Sequence, residues 1–375
     1  MSEYQYYEFL AVDGPISDEG LQYAEGCSSR ADVSRVHWRN VYNYGDFRGS
    51  VDGMLQHYDA HFYIANWGTV RFAVALPQGV LDLEAAEPYI RGHARYENTL
   101  TITNKGARTI VCWERNEEEG WGWTEGEGII SRLVGIREEL MLGDYRALFL
   151  GWLADFHPDE WRDPRDSAVL VPPIPAGLDC LTPALHELLE QIPVDGDALA
   201  VAAGQAQGDM PARIPVSDAL DKLSASDMKA LLARVADGDG ARVMSELNRL
   251  TQPRIESAVG DTLSCVTFAT KALAVRQARL EEEAKAKEAK KRRAAKARRR
   301  HLEDVMKRSD DIWAGLDPLM EEKIASAYDD VAEQLKELRD AYQQANRGRE
   351  FLERLEAFRN RYARRPAMMR RIEEL

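Results

Sequence analysis

The sequence predicts an α+β N-terminal domain, mainly antiparallel sheet with helices, followed by an all-α C-terminal half with a long helical hairpin or coiled coil. Three observations predict it. Short aromatic and β-branched runs come in pairs across turn residues up to Trp113, the pattern of hairpins. From Gly128 onward apolar residues recur every three or four positions, the period of a helix. No Pro or Gly occurs from Thr262 to Ala314, so nothing there interrupts a helix.

The elements follow in order. Tyr4 to Val12 reads as a strand, Asp13-Gly14-Pro15 as a turn, and Ser17 as the cap of a short helix weakened by Gly20. Val33 to Trp38 reads as a second strand and Ser50 to Tyr58 as a short helix. His61–Ala65 and Val70–Leu76 make a hairpin across Asn66-Trp67-Gly68-Thr69. Leu100–Thr103 and Thr109–Trp113 make another across Asn104-Lys105-Gly106. Helices are expected on one side of this sheet. Fourteen aromatic residues fall within the first 75 positions, a density that needs either a packed core or an aromatic ligand surface.

Ile129, Leu133, Ile136 and Leu140 form one helical stripe. Tyr145, Leu148, Phe149 and Leu153 form the next, beyond Gly143-Asp144. Val171-Pro172-Pro173-Ile174-Pro175 marks a boundary. Three domains are therefore expected, at 1–170, 171–260 and 261–375. In the middle one, Pro183 opens a helix ending at Ile192, Asp195 to Pro215 reads as a flexible connector, and Ser224 with Asp227 caps Met228 to Val235. Ala241 to Leu250 makes a further helix.

A last long helix, continuous to Arg308, would hold about 47 residues and run roughly 70 Å. Glu281–Lys285, Glu283–Lys287 and Glu288–Arg292 are ordered for four-residue ion pairs. Gly315, Asp317 and Pro318 are expected to fold the chain back, with Asp317 as the N-cap and Pro318 at the first position of the next helix. Ile324, Val331, Leu335, Leu338, Tyr342 and Ala345 then form a heptad-like series that Phe351, Leu355, Phe358 and Tyr362 continue.

Charge narrows the function classes. The chain carries −14, yet Lys285 to Arg300 holds ten basic residues against Glu288 alone. Subtracting that +9 leaves −23 on the rest. The cations Lys285, Lys287, Lys290, Lys291, Arg292, Arg293, Lys296, Arg298, Arg299 and Arg300 face almost every helical angle and repel one another. Such a set suits a polyanion. With no aromatic, Asn or Gln among them, any contact should be to phosphate and indifferent to sequence. A solvated spacer helix and docking on an acidic protein surface, the chain's own included, are the other readings. Nine arginines from Arg347 to Arg371, interleaved with Phe351, Phe358 and Tyr362, form a partner helix, a second phosphate-facing surface or, as the favoured reading, an amphipathic helix with a charged exterior.

His57, Asp59 and His61 are the metal candidates. In a strand all three share one face, in a helix His57 and His61 share one through four-residue spacing, and either could offer two imidazoles and a carboxylate to a transition metal. The segment straddles a helix end and a strand start, which spoils that geometry. Gly126-Glu127-Gly128 fails as a phosphate loop, because no third glycine follows and two glutamates oppose phosphate. Asp237-Gly238-Asp239-Gly240 fails as a calcium loop at Ala241 and Arg242. Ser28-Ser29-Arg30 and Tyr44-Gly45-Asp46-Phe47-Arg48-Gly49 are polar clusters suited to lining a pocket or to stabilising turns. No cofactor motif is present, so no cofactor is expected. Cys27, Cys112, Cys180 and Cys265 are isolated, the start of the chain lacks a basic leader, and no apolar run is long enough to span a bilayer. A cytoplasmic protein with no membrane association is expected.

Tyr6-Tyr7-Glu8-Phe9, Ser28-Ser29-Arg30-Ala31, Gly45-Asp46-Phe47-Arg48-Gly49 and Tyr58-Asp59-Ala60-His61 through Asn66-Trp67-Gly68-Thr69 resemble the N-terminal region of a group of uncharacterised bacterial proteins. The resemblance covers roughly the first 80 residues. It implies a bacterial origin and a shared domain, and it carries no site.

The leading expectation is a non-enzymatic adaptor: the N-terminal domain binds a protein partner, and the basic helix contacts nucleic acid or an assembly. The rivals are a metal-dependent hydrolase or nuclease using His57, Asp59 and His61, and a purely structural coiled-coil subunit. The oligomeric state is left open.

Overall fold

The computed structural model describes residues 3–90, 99–116, 125–206, 215–237 and 263–375, with Val243, Glu246, Leu247 and Leu250 between the last two spans. The chain divides into two compact units, Met1–Gln277 and Ala278–Leu375.

Among its described residues the first unit is built on seven strands: β1 (Gln5–Leu10), β2 (Asp32–Val33), β3 (His37–Tyr42), β4 (Ala60–Ala65), β5 (Thr69–Pro77), β6 (Leu100–Lys105) and β7 (Arg108–Asn116). They form one sheet in the order β2-β3-β1-β4-β5-β7-β6, and every pairing is antiparallel. Both expected hairpins form, with Phe62 opposite Phe72 and Ile102 opposite Val111. The strand read at Val33–Trp38 is divided between β2 and β3. Ser34 makes the turn: its N–H donates to the His37 carbonyl at 2.7 Å, and its hydroxyl accepts from the His37 N–H at 3.0 Å.

Helices cover both faces of this sheet, not one. The strands alternate, but both sets of side chains are apolar. Phe62, Phe72, Val74, Val111 and Trp113 face one core, and Phe9, Tyr63, Ala73 and Ile110 face the other. A sheet with two apolar faces must be covered twice. The smaller face takes α1 (Asp18–Cys27) and α2 (Val51–Met54). The larger takes α3 (Leu83–Ile90), α4 (Ile129–Leu133), α5 (Gly135–Met141), α6 (Arg146–Ala154), α7 (Pro183–Gln191) and α8 (Gly196–Gln205).

Residues beyond the proline cluster join that larger core. Leu185 and Leu188 of α7 and Ala198 and Ala202 of α8 are buried in it, as are Cys265, Phe268 and Ala272. Helix α8 occupies part of the expected connector. Asp195 caps it by accepting from the N–H groups of Asp197 and Ala198, and its alanines supply high helix propensity. Helix α9 (Val216–Leu220) and helix α10 (Ala225–Ala236) follow, the latter opened by the expected Ser224–Asp227 capping box. Most of the helix read at Ala241–Leu250 lies outside the described residues.

Helix α11 (Cys265–Lys307, 43 residues) starts in the first unit and ends in the second. The second unit adds α12 (Ser309–Glu322), α13 (Ala325–Gln344), α14 (Gly348–Arg361) and α15 (Pro366–Arg371). Its core joins Leu302 and Val305 to Leu316, Val331, Leu335, Leu338, Tyr342, Phe351, Leu355, Phe358 and Met368. Most of the heptad-like series is thus buried, while Ile324 and Ala345 at its ends are exposed.

The fold-back does not come at Gly315–Pro318. Helix α12 runs through both residues. The chain turns instead at Arg308 and at Lys323, whose φ is 60°. Pro318 removes one intrahelical donor, but Leu316 and Met320 on either side are completely buried and hold the helix together. Asp317 does not act as a cap. It accepts from Arg361 at 2.6 Å and from the Tyr362 hydroxyl at 2.8 Å.

Candidate functional site

The basic segment lies inside α11. Its backbone is helical because alanine and long straight-chain residues fill it and no Gly or Pro interrupts it. Every residue from Gln277 to His301 is exposed. Alanine is the only apolar residue between Leu280 and Leu302, so the segment has no stripe to bury.

Two of its ten cations are paired. Arg298 meets Glu337 at 3.2 Å and Asp340 at 2.9 Å, both on α13, and Arg299 meets Glu303 at 3.1 Å. His301 joins Glu337 at 2.8 Å, and Gln344 donates to the Arg299 carbonyl at 3.0 Å. These contacts fix the C-terminal end of the segment. Among the described residues, Lys285, Lys287, Lys290, Lys291, Arg292, Arg293, Lys296 and Arg300 have no carboxylate partner. None of the three expected four-residue pairs forms. Glu283 pairs with Arg279 at 3.0 Å. Exposed pairs of this kind gain only about 0.3–0.5 kcal/mol, too little to hold long side chains together.

Beside that fixed end, α11 and α13 leave a groove of about 800 Å³. Leu302, Met306, Ala341 and Ala345 line it together with Arg299, Lys307 and Arg347. The other arginine-rich segment is largely consumed within its own unit. Arg354 pairs with Asp310, Arg361 with Asp317 and Arg371 with Asp329. Arg359 donates to the Ile372 carbonyl and Arg365 to the Tyr328 hydroxyl. With Phe351, Leu355 and Phe358 buried, α14 has an apolar face and a charged exterior.

His57, Asp59 and His61 do not converge. Asp59 is buried at the entrance to β4. Its Oδ1 accepts from Arg108 at 2.5 Å and lies 3.6 Å from Arg137, and its Oδ2 accepts from the N–H groups of Val12 and Asp13. Burial pushes this carboxyl up, but Arg137, Arg108 and the Asp13 N–H outweigh it and hold it below its ordinary value. Both oxygens are occupied by cations and donors, so the group has nothing left for a metal. His61 is completely buried and stacks on Phe9, with centroids 4.3 Å apart. Its Nδ1 lies 3.1 Å from the Glu8 carbonyl. Burial pulls its pKa down to about 3, so the ring is neutral. His57 packs beside Tyr23 of α1. Among the described residues, no group of three or more His, Cys, Asp or Glu is placed to hold a metal ion.

Glu127 of the rejected phosphate loop pairs with Arg39 at 2.5 Å, and the helix that follows, α4, is only five residues long. Of the rejected calcium loop, Gly238 to Arg242 lie outside the described residues. Among the described residues, no helix is long and apolar enough to cross a membrane.

Sequence reasoning kept the two polar clusters of the N-terminal domain apart, and the fold joins them. Ser28, Ser29 and Arg30 at the end of α1, and Tyr44, Gly45, Asp46 and Arg48 after β3, line one cavity of about 580 Å³. It also missed what holds the second cluster in place. Gln5 of β1 is buried and donates to the Gly45 carbonyl at 3.0 Å, and Tyr7 donates to Asp46 at 2.8 Å. Polar residues inside an otherwise apolar strand were the available signal. Compared with protein-family models, curated proteins and solved structures, the chain matches none.

Proposed function

We propose that the chain is a non-enzymatic adaptor whose helical segment Lys285–Arg300 binds the phosphate backbone of DNA or RNA without reading sequence, while the N-terminal α+β domain engages a protein partner. One observation carries this reading. Eight cations on a fully exposed stretch of helix lack a carboxylate partner among the described residues. Held together, they repel one another, and a polyanion relieves that repulsion while releasing its own counterions. The segment offers guanidinium and ammonium groups alone, so it contacts phosphate and leaves base edges unread. A coiled-coil role for the same segment lacks the apolar seam that such pairing buries. The reading places the protein in the cytoplasm, where nucleic acid is available.

The test compares the parent with a variant carrying Gln at Lys290, Lys291, Arg292, Arg293, Arg298, Arg299 and Arg300. Fluorescence anisotropy is measured with two unrelated duplex DNAs and a single-stranded RNA at low salt. The parent is expected to bind all three within a few-fold of one another, and the variant at least a hundredfold more weakly. Equal binding by parent and variant overturns the reading.

A further inference from the structure

The cavity on the N-terminal unit is independent of the basic helix and has a chemistry of its own. We infer that it binds a ribonucleoside monophosphate: Arg30 and Arg48 take the phosphate, Tyr44 stacks on the base, and Glu25 accepts from the ribose hydroxyls.

The volume, about 580 Å³, lies within the range of small-molecule sites. Arg30 and Arg48 both line it, and neither has a carboxylate partner among the described residues. A guanidinium left unpaired beside a cavity suits a planar or tetrahedral oxyanion, which it binds through two parallel hydrogen bonds. Glu25 at the same wall is exposed and also lacks a cationic partner among the described residues. A purely anionic ligand leaves that carboxylate opposed. A ligand with a phosphate at one end and a vicinal diol further along satisfies both signs, because a carboxylate accepts well from ribose hydroxyls. Tyr44 is 83 % exposed. An aromatic face so open is an available stacking surface for a base. Ser29 and Asn43 add neutral donors and acceptors for base edges.

The walls are built before any ligand arrives. Asn40, a buried residue of β3, donates to the Ser28 hydroxyl at 3.1 Å. On the other wall, Gln5 fixes the Gly45 carbonyl and Tyr7 fixes Asp46. Burial first, and the Asp46 carboxylate next, push the Tyr7 hydroxyl above its ordinary range, so it remains a donor. Gly45 takes a φ of 80°, a backbone state other residues rarely adopt. At Gly49, a Cβ would lie 2.5 Å from the Phe47 ring and 2.6 Å from the Cys27 sulfur, so a larger residue there must displace a side chain where this loop meets α1. Functional loops on a rigid scaffold have this construction.

Isothermal titration with AMP, GMP, CMP and UMP, and separately with adenosine and inorganic phosphate, tests the inference on the full chain. At least one monophosphate should bind saturably at one site per chain, and more tightly than adenosine or phosphate alone. Arg30→Gln with Arg48→Gln should weaken it at least tenfold, and Tyr44→Ala at least threefold, with unchanged circular dichroism. The seven-Gln variant of the basic helix should bind it like the parent, which separates this site from the nucleic-acid reading. No saturable binding of any of the four monophosphates overturns the inference. So does phosphate binding as tightly as the best of them, or undiminished binding in the Arg30→Gln, Arg48→Gln variant.

Discussion

Arg108 places a guanidinium nitrogen 2.5 Å from the Oδ1 of Asp59, and both side chains are withdrawn from solvent. Arg137 completes the cluster. It holds Asp13 through two bonds of 2.8 and 2.6 Å and donates to the Ala75 carbonyl at 2.9 Å. The carboxylate that alternates with two histidines in the sequence is therefore a structural anion. It ties β4 to β7, to the turn after β1 and to α5.

Removing that charge leaves the buried Arg137 and the partly buried Arg108 with reduced compensation. Asp59→Asn should destabilise the protein by about 3–5 kcal/mol, read from urea unfolding followed by tryptophan fluorescence. Asp59 also has a lowered pKa when folded. Its contribution is present above the unfolded carboxyl pKa and is lost as pH falls through the folded value. The Asn variant should lack that acid-dependent loss.

His61 gives a second pH signature. Above its ordinary value of 6.5 the ring is neutral, folded or unfolded. Below it, the unfolded chain takes up a proton that the folded chain refuses until about pH 3. Stability therefore falls across that window, by at most about 1.4 kcal/mol per pH unit. His61→Phe keeps a ring against Phe9 and removes the titration. Between pH 7 and pH 5 the parent should lose about 2 kcal/mol relative to this variant. Parallel stability curves contradict the assignment.

From Lys285 to Lys296, short of the contacts that Arg298 makes with α13, the exposed segment of α11 is helical through propensity alone. Ala294→Gly combined with Ala295→Gly should cost about 1 kcal/mol per site in local helix stability. Faster amide exchange across residues 285–300 would show it, with exchange in the core strands β1, β4 and β5 unchanged.

Much of the fold was legible because its signals are local. Turn residues between β-rich runs located the β4–β5 and β6–β7 hairpins, and Ser224 with Asp227 located the start of α10. What escaped depends on distant residues. The second covered face follows from Ala73, Ala75 and Ile110 meeting Phe9 and Trp38, which no window of sequence contains. Pro318 looked like a break, but burial of Leu316 and Met320 outweighs its lost hydrogen bond. The basic helix was legible because charge needs no partner to be counted. The joined cavity was not, because it requires α1 and the loop after β3 to meet.

The central claim is that unpaired cations of α11 bind phosphate. The salt dependence of binding to a random-sequence duplex, measured from 50 to 200 mM, tests it most directly. If about six of these cations contact phosphate, the plot of log K against log salt should have a slope of about −5. The seven-Gln variant should lose most of that slope. A parent slope near zero, or a variant slope equal to the parent's, contradicts the account.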